Sequence, residues 1–273
     1  MIAVDGCMVL TDPIEAARRQ IGAWLQKSQG TGEVSIEPGE AGLPALSLQW
    51  KGELASEVFA IASGNVEQRV WAGAQIALQG AREPARIGNP EVVVPGHDGI
   101  DLHAAPGGFV QANEAMNDVL VSIVDEHVPP AQSTLELFCG AGNLTAVLAR
   151  KASRLEAVEA DAPAAEHARS NLLARGLHAK IVTADANCRA MGSDVRVVVL
   201  DPPRGGAPQA CVNIVRSRAR RVVMVSCDPA TLARDLATLV GGGFELQRLD
   251  LLEMFPHTSH MELVAVLDRK RPS

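Results

Sequence analysis

From about residue 134 the chain alternates short apolar runs with segments whose apolar residues recur at helical spacing. Thr134–Phe138, Arg154–Glu159, Ala179–Ala184, Val195–Leu200 and Arg220–Ser226 predict strands, and the stretches near 143–151, 163–175, 208–217 and 230–240 predict helices between them. Strand–helix alternation at this spacing calls for an α/β fold, a parallel sheet with helices on both faces. After Gly241-Gly242-Gly243 the pattern changes. Phe244–Leu252 and Glu262–Asp268 read as two strands with no helix between them, so the sheet is expected to end in an antiparallel hairpin.

The first 110 residues carry a weaker pattern. Asp12 and Pro13 suit the start of a helix over about 13–27. Short strands are expected at 45–50, 56–62, 67–71 and 91–94, separated by Gly and Pro, and a helix over Asn113–Asp125 leads into the first strand of the main series. The expected organisation is a small α+β region of uncertain role over 1–110 and a second, larger domain over 111–273.

Composition narrows the class. Hydrophobic residues make up 47% and charged residues 21% of 273, ordinary for a globular chain. No apolar run reaches the roughly 18 residues of a membrane span, and Met1–Asp5 lacks the basic and apolar regions of a signal peptide, so a cytoplasmic location without membrane partners is expected. The five cysteines (Cys7, Cys139, Cys188, Cys211 and Cys227) are odd in number and lack CxxC spacing, so they read as separate reduced thiols. The net charge of −7 counts against a broad phosphate-binding surface.

Ligands of an open parallel sheet bind outside the carboxyl ends of its strands. Here those ends collect the unusual residues: Phe138-Cys139-Gly140-Ala141-Gly142-Asn143, then Glu159-Ala160-Asp161, Asp185, Asp201-Pro202-Pro203-Arg204 and Cys227-Asp228-Pro229. The glycine loop lacks the third glycine of a dinucleotide fingerprint, which suits a ligand without phosphates. Glu159 ends the next strand, where a carboxylate can accept from both hydroxyls of a ribose. Two prolines after Asp201 stiffen the strand exit. Arg204, rather than a base-stacking aromatic, follows them, and the chain has no Tyr; both weaken an amino-methylation reading. Cys227, after Val222-Val223-Met224-Val225, reads alone as buried packing, but its strand-end position before a helix N-terminus makes it a nucleophile candidate. Cys139 is its rival and fits better as part of the glycine turn. His257, His260 and Glu262 offer too few ligands for a metal site, and Glu262 reads better as a carboxylate base.

Together these motifs resemble the uridine carbon-5 methyltransferases that act on transfer RNA and large-subunit ribosomal RNA. The matching pieces are Gly108-Phe109-Val110-Gln111-Ala112-Asn113, Leu135-Glu136-Leu137-Phe138-Cys139-Gly140-Ala141-Gly142-Asn143, Leu200-Asp201-Pro202-Pro203-Arg204-Gly205, Val225-Ser226-Cys227-Asp228-Pro229-Ala230-Thr231-Leu232-Ala233-Arg234-Asp235 and Met254–Glu262. The resemblance is close from about residue 106 onward and weak before it. It implies a class I methyltransferase (Rossmann-like) catalytic domain that uses S-adenosyl-L-methionine. Gln111, Phe138, Asn143, Glu159, Asp185 and Asp201 would contact that cofactor, Cys227 would be the nucleophile and Glu262 the base. The implied partner is RNA, either rRNA or tRNA, with no DNA expected.

Two departures qualify the resemblance. Family members often begin with a β-barrel RNA-binding domain, for which this chain has no room, and some hold an iron–sulfur cluster on four cysteines. Val4–Leu10 resembles the segment bearing the last of these, so Cys7 stands as an orphan ligand and no metal is expected. Asp228 replaces the family's usual Asn and is expected to raise the pKa of the neighbouring thiol. The alternatives are an inactive descendant that binds RNA or a protein partner, and a methyltransferase of the same fold acting on another substrate. Arg216, Arg218, Arg220 and Arg221 precede a strand and are expected at the edge away from the site, while Arg204 and Arg234 are better placed for RNA.

Overall fold

The computed structural model describes residues 6, 7, 9–255, 257, 258 and 260–270. It divides into two compact units. One runs to Val94 and takes in His103–Val110, and the other comprises Pro95–Leu102 and the chain from Gln111 onward. The sequence readings that fall on Met1–Asp5, Met8, Pro256 and Ser259 lie outside the described residues.

The first unit is built from α1 (Asp12–Trp24), β1 (Gln29–Pro38), β2 (Pro44–Glu53), α2 (Glu57–Glu67), β3 (Gly73–Leu78) and β4 (Ala85–Gly88), followed along the chain by β5 (Val92–Val94) and β6 (Leu102–Ala104). Its sheet has the order β1-β2-β3-β4, with β2 and β3 parallel across α2 and the other pairs antiparallel. Trp24, Leu46, Leu48, Val58, Trp71 and Ile76 form its core. Trp24 stands edge-on to Trp71 at 5.1 Å and donates its indole N–H to the Val58 carbonyl at 2.9 Å, placing a donor that burial would otherwise strand.

Two strand expectations fail here. Residues 56–62 lie largely in helix α2, and 67–71 form a connection. Val58 and Ala62 are both buried and stand four residues apart, a helical spacing that so short an apolar run does not disclose. Strand β1 escaped notice for the opposite reason. Its first half is exposed and polar, and only Val34 and Ile36 of its half-buried second half pack on the core, so the apolar alternation is too short to announce a strand; its ten-residue pairing with β2 makes it one.

The second unit contains α3 (Glu114–His127), β7 (Ser133–Leu137), α4 (Asn143–Lys151), β8 (Arg154–Glu159), α5 (Ala162–Ala174), β9 (Lys180–Thr183), β10 (Val197–Leu200), α6 (Pro208–Arg216), β11 (Arg221–Ser226), α7 (Pro229–Gly241), β12 (Phe244–Leu252) and β13 (Glu262–Arg269). One seven-stranded sheet runs β12-β13-β11-β10-β7-β8-β9. Strands β7 to β11 are parallel, while β13 is antiparallel to β11 and β12 antiparallel to β13, so the expected closing hairpin is present.

The alternation of strand side chains divides the core in two. Leu135, Leu137, Val198, Leu200, Val222 and Met224 pack on one face with Ala210, Cys211 and Ile214 of α6 and Leu232 and Leu239 of α7. Val197, Val199, Val223 and Val225 pack on the other with Leu120, Val121 and Val124 of α3 and Leu144, Val147 and Leu148 of α4. Each fully buried Leu or Val of this kind stabilises the fold by about 1.5–3 kcal/mol over exposure.

Helix ends are chemically marked. Asn113, Asp161 and Asp228 cap α3, α5 and α7 by accepting from the amides of Met116, Ala164 and Thr231. The Pro95–Leu102 loop is tied down by Arg175, which is almost wholly buried and donates from Nε and Nη2 to the equally hidden carboxylate of Asp98 at 2.9 and 3.0 Å. Among the described residues no helix is long and apolar enough to cross a membrane.

Candidate functional site

The strand order reverses at β7. The chain runs β7-β8-β9 in one direction, then returns to place β10 on the other side of β7. A crevice opens at such a switch point beyond the carboxyl ends of the two strands. Here those ends deliver Phe138–Asn143 and Asp201–Arg204.

The glycine loop is locked from several sides. Phe138 leaves β7 with φ of +62°, Gly140 has +53° and Gly142 +96°. Gly142 also has no room for a side chain without moving its neighbour, since a Cβ there would lie 3.2 Å from the Cα of Ala168. The Gly140 amide donates to Glu159 Oε2 at 2.9 Å, and the Asp161 amide donates to Glu159 Oε1 at 2.8 Å. Glu159 is therefore held by two backbone donors at the end of β8, each oxygen keeping a further lone pair. Asn171 donates to the Ala141 carbonyl at 2.9 Å and closes the loop from α5.

The other predicted cofactor residues meet different fates. Asn143 opens α4, but its amide is engaged with Asn117 of α3 in a reciprocal pair at 2.7 and 3.3 Å, so in this structure it holds two helices together. Asp185 follows β9, is exposed, and accepts from the Asn187 amide and the Cys188 thiol. Gln111 is half-buried just ahead of the α3 cap. Asp201 is half-buried beyond β10, and its carboxylate has no hydrogen-bond partner among the described residues. Burial pushes it up to about 7.

Cys227 and Glu262 lie on adjacent strands. The antiparallel ladder of β11 and β13 ends with Ser226 opposite Leu263, which places Cys227 and Glu262 one step further at the same edge. Asp201, one step past Leu200 of β10, lies at that edge too, because Leu200 pairs with Met224 of β11. Burial, followed by the charge of Asp201, raises Glu262 to about 7. The Cys227 thiol, half-buried, is also raised, first by desolvation and then by Glu262, while Arg204 opposes the shift.

Asp228 does not act as expected. Its carboxylate accepts from the Thr231 amide at 2.8 Å and is held low by that bond, while the charges that bear on the thiol come from Glu262, Arg204 and Asp201. The capping interaction directs Asp228 along the α7 axis. Arg234 binds Asp235 and the Gly205 carbonyl through Nε and Nη2 while its side chain stays about half exposed. Cys139 is buried and its thiol is driven strongly upward by desolvation, which removes it as a rival nucleophile. Arg221 pairs with Asp268 at the opposite end of β11.

Glu136 was not singled out from sequence. It is 1% exposed in the central strand, its Oε2 has no partner, and burial with the charges of Asp201 and Glu159 raises it to about 8. The signal was present: a carboxylate between Leu135 and Leu137 interrupts an otherwise apolar buried strand. Asp235 was also passed over, although it lies three residues after the buried Leu232 and four before the buried Leu239, on the inner face of α7.

Glu136, Asp201 and Glu262 thus gather carboxyl groups raised by burial towards the carboxyl ends of the parallel strands, while Arg204 bears on Cys227 and Asp228. Such a site suits a ligand that brings positive charge, and S-adenosyl-L-methionine carries both a sulfonium and an ammonium. The residues present fit that group. Among the described residues no set of three or more His, Cys, Asp or Glu is arranged to hold a metal ion. The groove at the other end of the sheet is no rival, because its charges are already paired: Arg154 with Asp194, and Lys180 and Arg189 with Glu156.

A mostly parallel sheet with this switch point and a closing antiparallel hairpin defines a Rossmann-like class I methyltransferase fold. Residues 189–270 match the family model described as tRNA (uracil-5-)-methyltransferase, and residues 100–221 match a methyltransferase small domain. The chain is 34% identical over 281 residues to the 23S rRNA (uracil(1939)-C(5))-methyltransferase RlmD of Pseudomonas entomophila, with 98% of this chain and 61% of that protein covered. It is 33% identical to the Aeromonas hydrophila protein of the same name, covering 99% and 63%. The crystal structure of Pyrococcus abyssi tRNA (uracil-54, C5)-methyltransferase in complex with S-adenosyl-L-homocysteine superposes with a TM-score of 0.78 at 22% identity, over 98% of this chain and 70% of that one, which shows a shared fold. By sequence, the chain is similar to proteins named as RNA uracil-5-methyltransferases. It spans about 61% of the length of the first of these relatives.

Proposed function

We propose that this chain transfers a methyl group from S-adenosyl-L-methionine to carbon-5 of a uridine in RNA. The observation that carries the proposal is the placement of a thiol and a carboxyl group, Cys227 and Glu262, on neighbouring strands beside a locked glycine loop. When bound, the cofactor supplies an electrophilic methyl on a positively charged sulfur. Glu159 would accept from the ribose hydroxyls, Phe138 and Gln111 would flank the ligand, and the Asp201 carboxyl would meet its positive end. Asp185, after β9, and Asn143, at the start of α4, would complete the contacts.

Carbon-5 of uracil is a poor nucleophile, and Cys227 corrects this. Its sulfur adds to carbon-6, and the electron pair of the 5,6 double bond moves towards oxygen-4, leaving carbon-5 able to attack the methyl group. Glu262 then removes the proton from carbon-5. The electrons of that C–H bond restore the double bond and expel the Cys227 sulfur. A carboxyl raised to about 7 is well matched to take up that proton near neutral pH. A base inside a helical stack cannot reach such a crevice, so the target uridine has to be unstacked. The RNA partner is read as rRNA or tRNA, and the place of action as the cytoplasm.

The test is incubation with methyl-labelled S-adenosyl-L-methionine and unmodified rRNA or tRNA, followed by nucleoside analysis. Labelled 5-methyluridine supports the proposal. A folded protein that binds the cofactor but yields none overturns it in favour of a binding descendant.

A further inference from the structure

We propose that Asp235 is a positioning residue that fixes the Asp201–Arg204 turn relative to Cys227. Asp235 is fully buried on α7, the helix that follows Cys227. Its Oδ2 accepts from the Ala207 amide at 2.6 Å. Its Oδ1 accepts from Arg234 Nε and Nη2 at 2.9 and 2.8 Å, and the same Nη2 donates to the Gly205 carbonyl at 2.9 Å. The Gly205–Ala207 segment is thereby bound to α7 at both ends, Ala207 by the Asp235 carboxylate directly and Gly205 through Arg234.

The turn is shaped to receive this clamp. The Gly206 amide donates to the Pro203 carbonyl at 2.8 Å, and Gly206 has φ of +72°. A Cβ built there would fall 2.5 Å from Asp235 Oδ2 and closer still to Arg234 Nη2. A side chain at 206 would therefore displace the clamp even without the strain of its backbone. The Ala207 amide lies just ahead of α6, where a carboxylate also meets the positive end of the helix.

The consequence reaches the site through Arg204. This exposed residue sits within the turn, and its charge bears on both Cys227 and Asp228. The groups facing the thiol are Glu262, Asp201 and Arg204, and two of the three leave β10 on the turn that runs directly into the segment that Asp235 holds. A single buried carboxylate thus sets the spacing between the sulfur and the only side chain among these that favours its ionised form.

The inference rests on the reading of Cys227 as the nucleophile, but its test does not require turnover. The pH profile of Cys227 alkylation by iodoacetamide is followed by peptide mass spectrometry in the full chain and in Asp235→Asn, Arg204→Ala and the double variant, with thermal melts as a fold control. Asn retains an acceptor for the Ala207 amide but gives up the charge that holds Arg234. Asp235→Asn is expected to move the alkylation midpoint upward in the same direction as Arg204→Ala, and the double variant to move no further than Arg204→Ala alone. Gly206→Ala, which leaves every charge in place, is expected to move it likewise. Folded Asp235→Asn and Gly206→Ala proteins with the unaltered midpoint, or additive shifts in the double variant, would overturn the proposal. Failure of the unaltered protein to form covalent adducts with RNA would instead count against the nucleophile reading, so the two failures are distinguishable.

Discussion

Cys227 and Glu262 stand across from one another one residue beyond the last pair of the β11–β13 ladder, Ser226 and Leu263. The relationship is set by backbone register, so a slip of one residue would turn either side chain to the opposite face. It also separates the two roles experimentally. With RNA containing 5-fluorouridine, Cys227→Ala is expected to give no covalent protein–RNA band on a denaturing gel. Glu262→Gln, with ordinary RNA, is expected to accumulate that band while product formation falls by about 10²–10⁴-fold, the usual worth of a positioned general base. Adduct formation by Cys227→Ala would refute the assignment.

The pH dependence follows from the raised groups. Glu262 titrates near 7 and must be ionised to take up a proton, so turnover is expected to fall as pH drops from 8 to 6. The Cys227 thiol is raised above its ordinary value, so the rate of adduct formation with 5-fluorouridine RNA should continue to rise above neutrality. A flat rate of adduct formation between pH 7 and 9 would contradict this.

Glu136 makes a claim on stability. Its folded value of about 8 lies above that of an unfolded carboxyl group, so the folded state binds the extra proton. The stabilisation is complete below the unfolded value and is lost as pH rises through about 8. Glu136→Gln removes the ionisation and is expected to raise Tm at pH 8.5 relative to the unaltered protein, with a smaller gain or none at pH 5.5. Each kcal/mol corresponds to roughly 2–4 °C in a protein of this size class. Melting curves at the two pH values decide the matter.

Asp228 is predicted to be a cap and little else. Asp228→Asn preserves an acceptor for the Thr231 amide and should leave Tm and the rate of adduct formation nearly unchanged, whereas Asp228→Ala should cost about 1 kcal/mol. A large acceleration of adduct formation by Asp228→Asn would restore the view that its charge burdens the thiol.

The parallel sheet, its helices and its hairpin were legible because buried strands such as Val197–Leu200 and Val222–Val225 announce themselves by composition, and Pro and Gly punctuate the ends. The site residues were legible for a related reason: they sit where apolar runs stop. What failed had local causes. Strand β1 has only Val34 and Ile36 on the core, and α2 is too short and too apolar to show its period. The pairing of Asn143 with Asn117 and of Arg234 with the Gly205 carbonyl depends on which helix end lies beside which loop, and no spacing along the chain encodes that.

Strand β13 comes last in the sheet's sequence yet lies between β11 and β12, second from the edge. The carboxyl group across from Cys227 is therefore supplied by a strand that the chain reaches only after α7 and β12. A nascent chain that has already assembled its glycine loop and displayed its thiol still lacks the group that completes the cycle. On the proposed reading, the nucleophile and its base join the site at different stages of assembling one sheet.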